Sequence, residues 1–122
     1  MMVIKPVEGE KAKELLAQFG LPYRWEVVLA AQENDEWIGI SAVNSDGELT
    51  AFAQKNENDL QLTDGLARAA LNYLLRRGVK TVILACESGK EAFTRLGLCS
   101  LSQTNRVEIE KIFHTCRNCG KE

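Results

Sequence analysis

The chain is predicted to be one α+β domain in which a central mixed β-sheet is flanked by helices. Three observations lead there. Residues 25–54 hold three apolar segments separated by tight-turn residues, the pattern of an antiparallel meander. Residues 62–98 then read helix, strand, helix, and a helix between two strands calls for a parallel crossover. The length, 122 residues, leaves room for a single core spanning 1–122, with a short Cys-containing tail at 114–122.

Taken in order, Val3-Ile4 is expected to be a short first strand stopped by Pro6, which has no N–H to donate. Helix one should run from Glu8 to Phe19. There Ala12, Leu15, Leu16 and Phe19 recur at i, i+3, i+4 and i+7, and Gly20 and Pro22 end the pattern. The meander follows as Trp25–Gln32, Trp37–Val43 and Leu49–Gln54. Asn34-Asp35 and Ser45-Asp46-Gly47 supply turn residues that tolerate positive φ. Asn56-Glu57-Asn58-Asp59 is polar and reads as an exposed loop.

The second helix is expected to be capped by Thr63 or Asp64 and to end at Gly78, with Leu66, Ala70, Leu71 and Leu74 as its apolar stripe. Val79–Ala85 is nearly all apolar and should be a strand covered on both faces. Ser88-Gly89-Lys90-Glu91 has the form of a capping box opening a third helix that closes at Gly97. Leu98–Ser102 and Val107–Phe113 complete the chain as a terminal hairpin around Thr104-Asn105.

Composition narrows the partners. A formal net charge of −2 provides no long-range attraction to a phosphate backbone, so nucleic acid is not an expected partner. No apolar run is long enough to span a bilayer, and Met1–Pro6 lacks a signal peptide's apolar core, so no membrane partner is expected. The expected location is cytoplasmic, where four cysteines serve as thiols or metal ligands more readily than as disulfides.

Gly65-Leu66-Ala67 at the start of the second helix, the strand Thr81–Ala85, and the run Ala92-Phe93-Thr94-Arg95-Leu96-Gly97-Leu98 occur in an order that resembles the acyl-CoA-binding half of the GNAT N-acetyltransferase superfamily. The element order β-α-β-β-β-α-β-α-β-β is similar to the family's as well. The resemblance implies a GNAT-like (acyl-CoA N-acyltransferase) fold with acetyl-CoA as co-substrate. It also implies transfer of an acetyl group to an amine, carried by a small molecule or a protein.

In such a site, residues Thr63, Asp64, Gly65, Leu66 and Ala67 would hold the coenzyme's pyrophosphate. Backbone N–H groups at a helix N-terminus favour an anion, and small residues let it approach. The third meander strand would present backbone groups to the acyl carbonyl. Glu87, just past the central strand, is the candidate general base, with Glu48 next.

The chain departs from the family pattern in three places. Leu62 stands where a Gln or Arg donor is usual. The Asp64 carboxylate would repel a diphosphate by about 1 kcal/mol at roughly 4 Å in bulk dielectric, an effect Arg68 could offset if it pointed at the loop. Phe93 stands where the family often has a proton-donating Tyr. These departures favour an alternative function, a non-catalytic GNAT-like module that binds a ligand, a metal or a partner. Cys86 is expected to be a small buried thiol.

The tail reads His114-x-Cys116-Arg117-Asn118-Cys119-Gly120. Cys-x-x-Cys-Gly is the turn that grips one face of a zinc ion in half of a zinc ribbon. Cys116 and Cys119 are therefore candidate zinc ligands, with His114 as a third and Cys99 as a fourth. Two half-sites could instead meet at one metal in a homodimer. A free or oxidised tail is the alternative.

Overall fold

The structure is a computed structural model that describes residues 2–21, 27–97 and 105–109. Its elements are β1 (Val3–Val7), α1 (Gly9–Gln18), β2 (Val27–Glu33), β3 (Glu36–Val43), β4 (Glu48–Gln54), α2 (Leu60–Arg76), β5 (Thr81–Leu84), α3 (Glu87–Arg95) and β6 (Arg106–Glu108). They build an α+β domain around one sheet with strand order β1-β2-β3-β4-β5-β6. Neighbouring strands are antiparallel throughout except β4 and β5, which run parallel across the α2 connection. The mixed sheet expected from the helix between the third meander strand and Val79–Ala85 is thus present. Leu98–Ser102 and the far part of Val107–Phe113 lie outside the described residues.

Strand alternation divides the core into two clusters. Val28, Ala30, Ile40, Ala42 and Ala51 pack with Ala12, Leu15 and Leu16 of α1. The intervening residues, among them Leu29, Ala31 and Phe52, pack with α2, α3 and the inward residues of β5 and β6. In β5, Val82 and Leu84 are buried while Thr81 and Ile83 are half-buried. Among the described residues the expected cover on both faces is therefore incomplete, because the α1 cluster reaches β4 and no farther.

Pro6 does not stop β1; it pairs with Leu29 inside the strand. The strand lies at the sheet edge, where a missing N–H can face outward without breaking a ladder bond. The β2–β3 hairpin turns at Asn34 and Asp35, both at positive φ (52° and 64°), as two-residue turns between right-twisted strands require. The β3–β4 turn is held by Asn44, whose Oδ1 accepts from the amides of Asp46 and Glu48, 3.0 Å each. Gly47 sits there at φ 83°, and a Cβ on it would lie 3.2 Å from the Thr81 carbonyl oxygen.

The second helix starts earlier than the Thr63 or Asp64 cap expected from sequence. Asp59 is the cap, and its Oδ1 accepts from the Leu62 amide at 3.1 Å. The polar loop winds into it: Asn56 Oδ1 accepts from Asn58 N–H (3.0 Å), and Asn56 C=O accepts from Asp59 N–H (3.1 Å). Gln54 at the end of β4 then donates from Nε2 to the carbonyls of Asn56 (2.7 Å) and Asp59 (3.2 Å). Its Oε1 accepts from the Thr63 hydroxyl at 2.7 Å. These bonds bring the first turn of α2 to the sheet and set its start at Leu60.

The third helix likewise begins earlier, at Glu87, with Cys86 as its cap, whose side chain makes no capping bond. The expected Ser88–Glu91 capping box does not form, because Ser88 is already inside the first turn.

Candidate functional site

The site expected from sequence lies where β4 leaves β5. The two strands pair for two residues only, Glu48↔Ile83 and Leu49↔Leu84, flanked by bonds from Ile83 N–H to Gly47 C=O at 2.9 Å and from Ala85 N–H to Leu49 C=O at 3.0 Å. The β3–β4 register shifts between Ala42 and Val43, with Ala42 opposite Ala51 and Val43 opposite Leu49. Thr50 is therefore the extra residue of a bulge, a feature that bends and twists a strand. Beyond it β4 runs on to Gln54 without a β5 partner.

Lys55 N–H donates to Ile38 C=O. By the alternation of an antiparallel ladder, the peptide groups of Phe52 and Gln54 thus face away from β3, toward the side that β5 has left. From the β5 side, α3 closes in on the same place. A Cβ at Gly89 would meet Leu49 Cδ2 at 2.7 Å and Cys86 Sγ at 3.0 Å.

The five cradle residues do not form an open loop. Thr63 N–H donates to Asp59 C=O at 3.0 Å, and from Asp64 onward each amide lies inside α2, where it bonds to the carbonyl four residues back. Thr63, Leu66 and Ala67 are fully buried. The smallness of Gly65 has a packing cause: a Cβ there would lie 2.8 Å from Ile4 Cδ1, so the glycine lets α2 approach β1.

Gly65→Ala is accordingly expected to change the unfolding free energy by less than about 1 kcal/mol. The helix-propensity gain of about 1 kcal/mol is offset by the displaced tip of Ile4. Urea denaturation monitored by circular dichroism checks this, and a loss above 2 kcal/mol (about twice the propensity term) would show that the tip of Ile4 cannot move aside.

The charges near the cradle are committed as well. Arg68 Nε bonds both carboxylate oxygens of Asp64, at 2.9 and 3.1 Å, so Arg68 turns its charge on its helix neighbour. A cavity of about 170 Å³ does lie beside the start of α2, but Glu33 and Asp59 line it together with Met2, Ile38, Gln61 and Leu62. Two carboxylates at that point oppose a diphosphate.

Glu87 sits in the first turn of α3 with its side chain 80% exposed, 3.8 Å from Lys90 Nζ. Glu48 Oε1 accepts from Asn44 Nδ2 at 2.8 Å, a role within the β3–β4 turn. Phe93 is 0% exposed and packs in the α2-side core. Cys86 is half-buried, with Sγ 3.7 Å from the Ser88 hydroxyl. His114, Cys116, Cys119 and Cys99 lie outside the described residues, among which no group of three or more His, Cys, Asp or Glu side chains could hold a metal.

Sequence reasoning missed a second cavity of about 190 Å³ at the other end of α2, lined by Glu8, Tyr73 and Arg77 among others. The Arg77 guanidinium lies 4.8 Å from the centroid of the Tyr73 ring. The i, i+4 spacing of these two residues was the available signal. Read alone, Arg77 looks like a helix-end cation complementing the dipole.

No helix among the described residues is long and apolar enough to cross a membrane. Comparison of the chain with protein-family models, curated proteins and solved structures found no match.

Proposed function

We propose that this chain is a non-catalytic GNAT-like domain that binds a ligand or partner other than an acyl-CoA. The observation that carries this reading is the commitment of the residue 63–67 amides inside α2. A diphosphate would find free helix-end donors only at the first residues, Leu60 and Gln61, next to the Asp59 carboxylate that already bonds Leu62 N–H. The buried Phe93 and the water-exposed Glu87 agree with a site lacking both an acid and a desolvated base. The GNAT-like fold itself is supported by the strand order and by the early parting of β4 from its parallel neighbour.

Isothermal titration with acetyl-CoA tests the reading. No saturable heat is expected up to about 1 mM ligand. Binding with a Kd of about 1 μM that disappears in Gly65→Val would overturn it.

One observation favours a second reading, an acyl-CoA-dependent N-acetyltransferase acting on an amine. The free edge of β4 past Leu49 leaves the peptide groups of Phe52 and Gln54 turned to the side where an acyl carbonyl would be held. Acetyl-CoA would then be the co-substrate, and Glu87 would deprotonate the amine. The same titration separates the two readings.

Independently, Cys116, Cys119 and His114 offer three ligands suited to zinc by residue type and spacing. Elemental analysis of the purified protein decides this. Zinc lost on Cys116→Ser would establish the metal site, and zinc-free protein would exclude it.

A further inference from the structure

The cavity at the far end of α2 is separate from everything the acyl-CoA resemblance invokes. Its apolar floor is Val27, Val43, Leu74 and Val79, and its polar groups include Glu8 and Arg77. We propose that it binds a free α-amino acid with a small apolar side chain. The ligand's carboxylate meets Arg77, its ammonium meets Glu8, and its side chain covers the valines.

Four features carry this assignment. The Arg77 guanidinium lies over the Tyr73 ring, and a guanidinium so placed can offer its donor fork to a planar, bidentate acceptor such as a carboxylate. Among the described residues no carboxylate pairs with Arg77, and no cation pairs with Glu8. Glu8 precedes α1 as its cap residue, yet its side chain makes no capping bond. One small pocket therefore holds a cation and an anion that no described residue pairs, over an apolar floor, and a zwitterion satisfies both.

The walls are also fixed in place, so binding need not order them. Asn44 is locked by its bonds to Asp46 and Glu48. Val79 N–H donates to Leu74 C=O at 3.0 Å across Gly78, which turns the chain at φ 82°. A volume of about 190 Å³ suits a compact amino acid and is too small for a nucleotide.

The test is a titration of ¹⁵N-labelled full-length protein with L-valine, isovalerate and isobutylamine. L-valine is expected to give saturable shifts at the amides of Ser45, Tyr73, Arg77 and Val79. The two single-charge analogues should bind at least about tenfold more weakly, since each leaves one charged group unanswered. Arg77→Gln and Glu8→Gln should each weaken L-valine binding by about tenfold or more. Both side chains are exposed, so the variants keep the fold, and each serves as a check on the other.

Absence of saturable shifts at tens of millimolar (about the weakest useful range) would overturn the proposal. So would isovalerate binding as tightly as L-valine, or binding indifferent to Arg77→Gln. Because the cavity shares no residue with the cradle, its failure and that of the non-catalytic reading are told apart by the ligand used.

Discussion

Phe93→Ala is expected to lower the unfolding free energy by about 3–5 kcal/mol, the largest single-residue effect foreseen here. The ring is fully buried. It is also the only large side chain among the three buried residues of α3, the others being Gly89 and Ala92. Truncation removes the anchor that holds α3 to the α2-side core. Urea denaturation measures the loss, and a change under 1 kcal/mol (about one methylene's worth) would show that α3 is not held this way.

Phe93→Tyr separates packing from chemistry at the same position. The resemblance places a proton-donating phenol there. In this fold the new hydroxyl would enter a fully packed apolar region at a cost of about 1–3 kcal/mol. The variant is therefore expected to be less stable and to gain no acetyl-transfer activity toward amines. Activity appearing with the tyrosine would restore the transferase reading.

The second large effect is expected at Leu66, which is fully buried in the middle of the α2 stripe. Leu66→Ala should cost about 2–5 kcal/mol through lost burial and the cavity left behind. A partner mutation makes the prediction specific. A Cβ at Gly39 on β3 would lie 2.8 Å from Leu66 Cδ1, so Gly39→Ala alone should destabilise by overpacking.

In the Leu66→Ala background that clash is gone, and the new methyl partly fills the cavity. The pair should then be less harmful than the sum of the singles by about 0.5–1.5 kcal/mol. Strict additivity in a double-mutant cycle would mean that α2 and β3 do not meet as described.

Much of this architecture can be read from residue order. The meander is legible because its apolar alternation is interrupted by Asn34-Asp35 and by Gly47, residues that accept the positive φ a tight turn imposes. The stripe of α1 is legible for a similar local reason, since Ala12, Leu15 and Leu16 are the residues it buries. The start of α2 was not. Asn56–Asp59 looks like any polar loop. What makes it the lead-in to a helix is Gln54, whose side chain reaches back from the sheet to two loop carbonyls and Thr63.

That difference of four or five residues in the cap position changes the functional reading. With the cap at Thr63 or Asp64, amides of the Gly65-x-Ala67 turn would be open; with the cap at Asp59 they are spent. Gly65 itself shows why a short motif misleads. Smallness needed for a phosphate and smallness needed for Ile4 look identical in a sequence. The cavity between Glu8 and Arg77 was hidden for a complementary reason, as its two charges lie almost 70 positions apart and only the packing of α2 over β2 and β3 brings them together.

By itself the sequence determined the α+β class, the order of the elements among the described residues and the antiparallel-then-parallel sheet, because these follow from local periodicity and turn chemistry. The tertiary structure alone decided where α2 begins, which amides stay free and which charges share a pocket. The pocket depends on contacts between distant residues, whereas the helix start and its spent amides rest on bonds within residues 54–63 that a polar stretch does not announce.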